Sequence, residues 1–403
     1  MYTIDERARK VTNLSSRMIV CLFTLFALLS GDRIRGAEPV RIGLSASLSG
    51  KYLRPAQEQL NGIRMWVEDV NARGGLLGRP VELIYYDDES DPQKGALLYR
   101  RLIVDDRVDL LLGPYSSGVT LAASSVAEDH DFPMVSAGAS SSHIWERGYR
   151  NIFGLYTLGR TYMDQVLDFA KRMGLTRVAL IYADAAFPRD VAEGVRETSA
   201  RLGMTVVYEK SYGNSTTNFS SLIREMRFRR PEVVIGGSYL PDSTAFMRQA
   251  REHRLSADIF AFAVGPGLPD FGLNLGEDAE GVMGNTQWEA TLKLPGTRRF
   301  VERYRLKYGH PPGYHAAGGY GAGQVLEAAV RRAGSLGREA LREALGALDV
   351  VTVFGHYRVD AWGRQIGKPG YTVQWQDGER RVVLPPEVAV APVRFPFVPW
   401  DQR

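Results

Sequence analysis

The amino-acid sequence predicts an α/β protein built as two lobes with mostly parallel sheets. Three observations predict it. Strands alternate with helices for most of the chain, the strands read as continuous apolar runs, and the series restarts once near the middle. Parallel strands buried on both faces have that continuous character, whereas half-exposed strands alternate. A chain of 403 residues is long enough for two domains of ordinary size.

The first series opens with VRIGLSA at 40–46, a strand. Residues 54–75 set Ile63, Met65, Trp66, Val67 and Val70 on a helix face and stop at a glycine pair. PVELIYYDD at 80–88 is a strand, and the following helix starts at Pro92, which suits a first helical turn. VDLLLG at 108–113, GVTLAASSVAEDHD at 118–131 and FPMVSA at 132–137 continue as strand, helix and strand. The break falls in FGLYTLGR, 153–160.

The second series runs helix 161–174, strand 176–184, helix 187–203, strand 204–212, helix 218–231, strand 231–239, helix 242–255 and strand 258–265. Three more helices follow, at 296–309, 316–334 and 336–348; then 354–383 alternates around tight polar turns and predicts hairpin strands. Three helices are too few for a third domain, so the chain is expected to return to the first lobe and cross back. The expected division is 38–156 plus 288–350 for lobe one, 157–287 plus 351–385 for lobe two, and an extended, proline-broken tail at 386–403. A ligand is expected between the lobes, at the carboxyl ends of the strands.

Residues 1–37 do not read as fold. A basic leader with Arg7, Arg9, Lys10 and Arg17 precedes IVCLFTLFALLS, an apolar run too short to span a bilayer comfortably and suited to a secretory signal. Cleavage is expected after Ala37 or near Ser30, and Cys21 precedes most of the apolar run, which argues against a lipid anchor on it. The leader holds six of the 50 Lys and Arg and three of the 46 Asp and Glu, so the remainder carries 44 against 43, a net of +1. That balance gives no reason to expect nucleic acid. The one cysteine leaves with the leader, which excludes a thiol nucleophile, a zinc–thiolate site or an internal disulfide.

Two adjacent strands run into small hydroxyl residues, GPYSSGVT after the first and SAGASSS after the second, without a charge in either loop. Ser116, Ser117 and Gly118 stand where a helix begins and its first N–H groups lack partners. With Tyr115 before them and Gly138, Ala139 and Ser140 facing them, they form a candidate site for a carboxylate. Serine is also a favoured helix cap, which is the plainer reading of either loop alone. If the ligand also carries an ammonium, Asp184, Phe187, Tyr239 and Asp242 are the candidates on the other lobe.

Enzymatic signatures are weak. No G-x-S-x-G surrounds a serine and no G-x-G-x-x-G follows the first strand. His143 lies closest to the serine loops, while His310 and His315 flank PPGY and read as surface residues. Asp87 and Asp88 end a strand and cap the next turn; their spacing is not that of a calcium loop.

The order VRIGLSASLSG, NARGGLLGRPVELIYYDDESDP, LLGPYSSG, FPMVSAGASS, VIGGSYLPDS and ALREALGALDVVTVFGHYRVD resembles the type I periplasmic substrate-binding proteins of branched-chain amino acid ABC transporters, from about residue 40 to 383. The resemblance implies two Rossmann-like lobes joined by three crossings that close on a ligand, and hinge residues are expected near 155–159, 283–287 and 351–354. It implies a carboxylate contact at Ser117, with Ser116 beside it, and second-loop contacts at Gly138 and Ser140. Phe187 falls where the family has a ligand-touching tyrosine, and Tyr239 falls at another such position. Two departures stand out. Ser90 and Ser116 occupy the places of a lobe-one disulfide, and no acid follows the strand at 258–265 to hold an ammonium; Asp270 is the nearest. The expected function is extracytoplasmic capture of a small polar metabolite, an amino acid favoured, for a membrane ABC permease. An amide, urea or a small carboxylic or aromatic acid is the alternative, for uptake or sensing. No cofactor, metal or catalysis is expected, and a periplasmic monomer is.

Overall fold

The computed structural model describes residues 38–403. The expected leader, its cleavage site and Cys21 lie outside the described residues.

Strands β1 (Val40–Ala46), β2 (Val81–Asp87), β3 (Leu110–Leu112), β4 (Met134–Ser136) and β5 (Ile152–Gly154) form one parallel sheet in the order β2-β1-β3-β4-β5. Helices α1 (Leu53–Ala72), α2 (Pro92–Val104) and α3 (Ser117–Asp129) connect the first four of them. The strand burial bears out the reading from continuous runs: β3, β4 and β5 are buried at every position.

The second sheet repeats the plan. Strands β6 (Arg177–Ala183), β7 (Thr205–Tyr212), β8 (Val233–Gly237), β9 (Ile259–Phe262) and β10 (Met283–Thr286) run parallel in the order β7-β6-β8-β9-β10. Helices α4 (Asp164–Arg172), α5 (Ala186–Arg201), α6 (Ser220–Phe228), α7 (Leu240–Glu252) and α8 (Pro269–Leu275) accompany them. In both sheets the first strand has the second on one side and the third on the other. That reversal opens a crevice at the carboxyl ends, beside β1 and β3 in one lobe and β6 and β8 in the other.

Helices α9 (Thr297–Tyr308), α10 (Tyr314–Ala333) and α11 (Arg338–Gly346) return to the first lobe. The α1–α10 contact depends on small residues. A Cβ on Gly62 would stand 1.9 Å from the Ala316 carbonyl oxygen, and one on Gly319 would stand 2.1 Å from the Gln59 carbonyl oxygen. Trp66, beside them on α1, is fully buried and donates its indole N–H to Glu327 at 3.1 Å.

The short hairpin of β11 (Val350–Thr352) and β12 (Gly355–Tyr357) stays with the first lobe, because the Tyr357 hydroxyl donates to the Leu345 carbonyl at 3.1 Å. Gly154 N–H also donates to the Gly363 carbonyl at 2.8 Å, and Gln365 Nε2 donates to the Leu155 carbonyl at 3.2 Å. The third passage between lobes therefore comes after Gln365, not at 351–354 as the sequence suggested. An alternating segment looks the same whichever sheet it adjoins, so the pattern could not locate the passage. Strands β13 (Tyr371–Gln376) and β14 (Glu379–Leu384) then extend the second sheet antiparallel beside β10.

The three passages are tied by polar contacts. Thr157 N–H donates to Gln287 Oε1 at 3.0 Å, Gln287 Nε2 donates to Thr157 Oγ1 at 2.7 Å, and Lys368 Nζ donates to the Gln287 carbonyl at 2.7 Å. Lys368 is buried with no carboxylate partner among the described residues and lies 3.7 Å from the Phe354 ring centroid; burial pushes its ammonium well below the usual lysine range. The tail after β14 is held along the second lobe, with Phe397 N–H on the Asp258 carbonyl at 2.9 Å and Trp400 Nε1 on the Leu255 carbonyl at 2.8 Å. No helix among the described residues is long and apolar enough to cross a membrane.

Gly62→Ala should force α1 and α10 apart. Chemical denaturation is expected to show a loss of about 1–3 kcal/mol, the usual cost of overpacking a tight interior contact.

Candidate functional site

Ser116 caps α3, and its backbone is unusual for the task. Its φ is +78°, in the left-handed region that a residue with a Cβ rarely occupies. Two bonds hold it there: its N–H donates to the Gly138 carbonyl at 3.1 Å, and its Oγ accepts from Val119 N–H at 3.3 Å. Ser117 is the first residue of the helix. Its Oγ accepts N–H bonds from Ser140 at 3.2 Å and Ser141 at 3.0 Å. A hydroxyl whose oxygen already takes two donors has its own proton left to give. The N–H groups of Ser117 and Gly118 have no intrahelical acceptor, and the helix dipole favours negative charge beside them. Gly138 is required by the fit of the second loop, since a Cβ there would lie 2.5 Å from Gln59 Oε1 and 3.0 Å from Tyr115 Cα.

These loops form one end of an inter-lobe cavity of about 280 Å³ counted out to its open mouth. Tyr115, Ser116, Ser117, Gly138 and Ser140 line it from the first lobe. Phe187 at the start of α5, Tyr239 capping α7 and Val264 just past β9 face them from the second. Tyr156, Tyr162, Tyr314 and His315 complete the wall. The rings interlock: Phe187 lies 5.7 Å from Tyr239 and 5.3 Å from Tyr162, and Tyr156 stacks on Phe354 at 5.0 Å.

Tyr162 OH and Ser140 Oγ share a hydrogen bond of 2.7 Å. Tyr156 OH and His315 Nε2, both buried, have no hydrogen-bond partner among the described residues. Burial holds the tyrosine hydroxyls above their ordinary range and pulls the His315 imidazole down to about 3. At neutral pH the wall is therefore made of uncharged rings, hydroxyls and amides.

Of the residues singled out from sequence, Tyr115, Ser116, Ser117, Gly138, Ser140, Phe187 and Tyr239 come together on this wall. Three do not. Ala139 packs into the first lobe's apolar cluster with Trp145 and Ile144. Asp184 is half exposed and paired with Arg189, whose Nε donates to it at 2.6 Å. Asp242 faces inward in its own lobe, where it accepts from Tyr239 N–H at 2.8 Å and from Tyr212 OH at 2.8 Å, closing the cap of α7. Its distance from the cavity follows from that role: an acid at the third helical position bonds back to the capping residue.

Asp270 pairs with Arg54 at 3.5 Å and does not line the cavity. Sequence reasoning missed Tyr156, Tyr162, Val264, Tyr314 and His315. Val264 was within reach of the strand-end rule that found Tyr239. His315, read as a surface residue, is 1% exposed, because α10 turns its first residues inward behind PPG.

His143 is not on the wall either. It bonds Glu146 at 2.7 Å and lies 3.4 Å from Glu193 of the other lobe, in a cluster with the fully buried Asp190. Arg160 occupies the same cluster, pairing with Glu193 at 2.5 Å and lying 3.6 Å from Asp190, so the carboxylates already have a cation. Asp88 accepts from Ser45 Oγ at 2.7 Å, Ser47 Oγ at 2.6 Å and Ser90 N–H at 3.0 Å, a strand-end cap as expected.

Two parallel-sheet lobes, a cavity at both sets of carboxyl ends and three tied passages define a two-lobed solute-binding protein. The chain belongs to the periplasmic binding protein family, whose model matches residues 39–380. This is a family of ABC-transporter solute-binding proteins, not of enzymes. Among curated relatives, the Leu/Ile/Val-binding protein homolog 7 of Brucella suis biovar 1 (strain 1330) is 28% identical over 389 residues, covering 92% of this chain and 97% of that protein. The branched-chain amino acid transporter substrate-binding protein LivJ of Streptococcus pneumoniae, solved with isoleucine, superposes with a TM-score of 0.78 at 20% identity, over 89% of this chain and all (100%) of that one. A solute-binding protein of R. palustris, solved with benzoate, superposes at 0.76 and 20% identity, over 88% of this chain and 97% of that one.

The depressed imidazole fixes a sign. Folded His315 stays neutral down to about pH 3, whereas an unfolded histidine takes a proton near its ordinary value of 6.5. Its contribution is complete above pH 6.5 and is lost as pH falls toward 3. Melting temperatures measured across that window should fall less steeply for His315→Gln than for the parent.

Proposed function

We propose that the protein captures a small carboxylic acid with an aromatic or other apolar body and delivers it to an ABC permease. The observation that carries this reading is the chemistry of the wall. One end offers the Ser117 hydroxyl and the first N–H groups of α3; the rest is tyrosine, phenylalanine and neutral histidine, with Val264 at the end of β9. A carboxylate finds charge-assisted donors at the first end and a ring finds stacking faces at the second. An α-ammonium would meet no carboxylate on this wall. Proteins of this fold hold isoleucine in one case and benzoate in another. The fold therefore leaves the ligand open, and the wall favours the acid.

A zwitterionic amino acid is the second reading. Tyr156 OH and His315 Nε2 are unpartnered acceptors, and the tyrosine faces attract cations. The Brucella suis relative, a Leu/Ile/Val-binding protein homolog, points the same way.

In either case the mechanism is physical. Ligand bridges the lobes, the closed form gains population, and closure is what the permease reads. The network of Thr157, Gln287 and Lys368 is the hinge. The protein works outside the cytoplasmic membrane as a monomer, with both lobes free to face the permease.

A thermal-shift screen followed by calorimetry tests the choice of ligand. Benzoate and related acids should raise the melting temperature, and leucine, isoleucine and valine should not; stabilisation by the amino acids alone would remove the first reading. With the ligand so found, Ser117→Ala should weaken binding by about 1.5–3 kcal/mol through loss of a charge-assisted bond. Tyr239→Ala should weaken it mainly by lost ring contact, and an unchanged dissociation constant would take Tyr239 out of the site.

A further inference from the structure

A second chamber lies beyond the cavity, and His315 lines both. We propose that the chamber receives the far end of the ligand, so that the preferred acid is longer than a single ring. This rests on the carboxylic-acid reading above and adds a length to it.

Counted out to its mouth the chamber spans about 730 Å³, against about 280 Å³ for the inner cavity counted the same way. It lies between lobes. Arg54, Pro55 and Glu58 of α1, with His310 and Pro311, form one side, and Leu268, Pro269, Asp270 and Leu273 form the other. Its walls are largely apolar, and its rim is bridged by Arg54 and Asp270 at 3.5 Å. That ion pair joins α1 of the first lobe to α8 of the second, so the chamber is completed by closure, as the inner cavity is.

His315 is the partition. Its ring packs on Tyr314 at 3.9 Å and against Tyr115 at 5.0 Å, while its Nε2 has no partner among the described residues although the residue is 1% exposed. A ligand reaching from Ser117 past the imidazole would bury its tail against Leu268, Pro269 and Leu273. Leu273 is 84% exposed, so an apolar tail beside it would remove surface from water that the fold alone leaves wet.

Isothermal titration of the protein with benzoate, phenylacetate, 3-phenylpropanoate and 4-phenylbutanoate tests the length. Affinity should rise by roughly 10–50-fold from the first acid to the last, as added methylenes become buried. Leu273→Asp, at an exposed position where folding is safe, should shrink the ratio of the 4-phenylbutanoate to the benzoate affinity. A flat or falling series, or the same ratio in the variant, would overturn the chamber and leave the carboxylic-acid reading standing. Binding of leucine with none of the four acids would overturn that reading, and the chamber with it.

Discussion

The site depends on one small interaction, the two N–H bonds that Ser140 and Ser141 give to Ser117 Oγ. They tie the loop after β4 to the first turn of α3, so two separate strand ends become a single rigid lip. They also use the serine oxygen as an acceptor and leave its proton as a donor. The lip is therefore a surface of donors without a formal charge. Such a surface suits an anion in a dry cleft, where hydrogen bonds are stronger than in water and no counter-charge has to be desolvated on the protein side. The left-handed backbone of Ser116 belongs to the same arrangement, because it aims the loop at Gly138 before the helix starts.

The opposite wall works by shape. Phe187 meets Tyr162 edge to face at 5.3 Å and Tyr239 at a tilt at 5.7 Å, which fixes the width of the space between the lobes. Tyr156 also joins the site to the hinge: its ring stacks on Phe354, and Lys368 of the third passage lies on Phe354 in turn. Lys368 is bonded to Gln287 and Gln287 to Thr157, so all three passages share one buried polar network. Buried networks of this kind cost much if half-satisfied and hold one geometry when complete. A hinge made this way turns as a unit, and a ligand touching Tyr156 touches the first ring in the chain that leads to it.

Local patterns found the parts of the cavity wall that lie at strand ends. Tyr115, Ser116, Ser117, Gly138 and Ser140 follow β3 and β4, and Phe187 and Tyr239 follow β6 and β8. The strand-end rule placed them before any contact was known. It also selected Asp184 and Asp242, which share the same ends but serve Arg189 and the cap of α7. A carboxylate at a helix start has a local use and a distant one, and the sequence around it does not separate them. Tyr314 and His315 come from a helix some 200 residues after the serine loops, and only the packing of α10 on α1 brings them in.

The sequence by itself determined the strand–helix alternation, the restart of the series, the return of the chain to its first lobe and the uncharged serine lip. These follow from periodicity, from turn and cap chemistry, and from residue types that act on near neighbours. The tertiary structure alone decided which rings face the lip, that the acids stay out of the cavity, that His315 is buried and neutral, and that the third passage comes after Gln365. Those outcomes depend on distance through space and on exclusion of water, and neither is written in the spacing of residues along the chain.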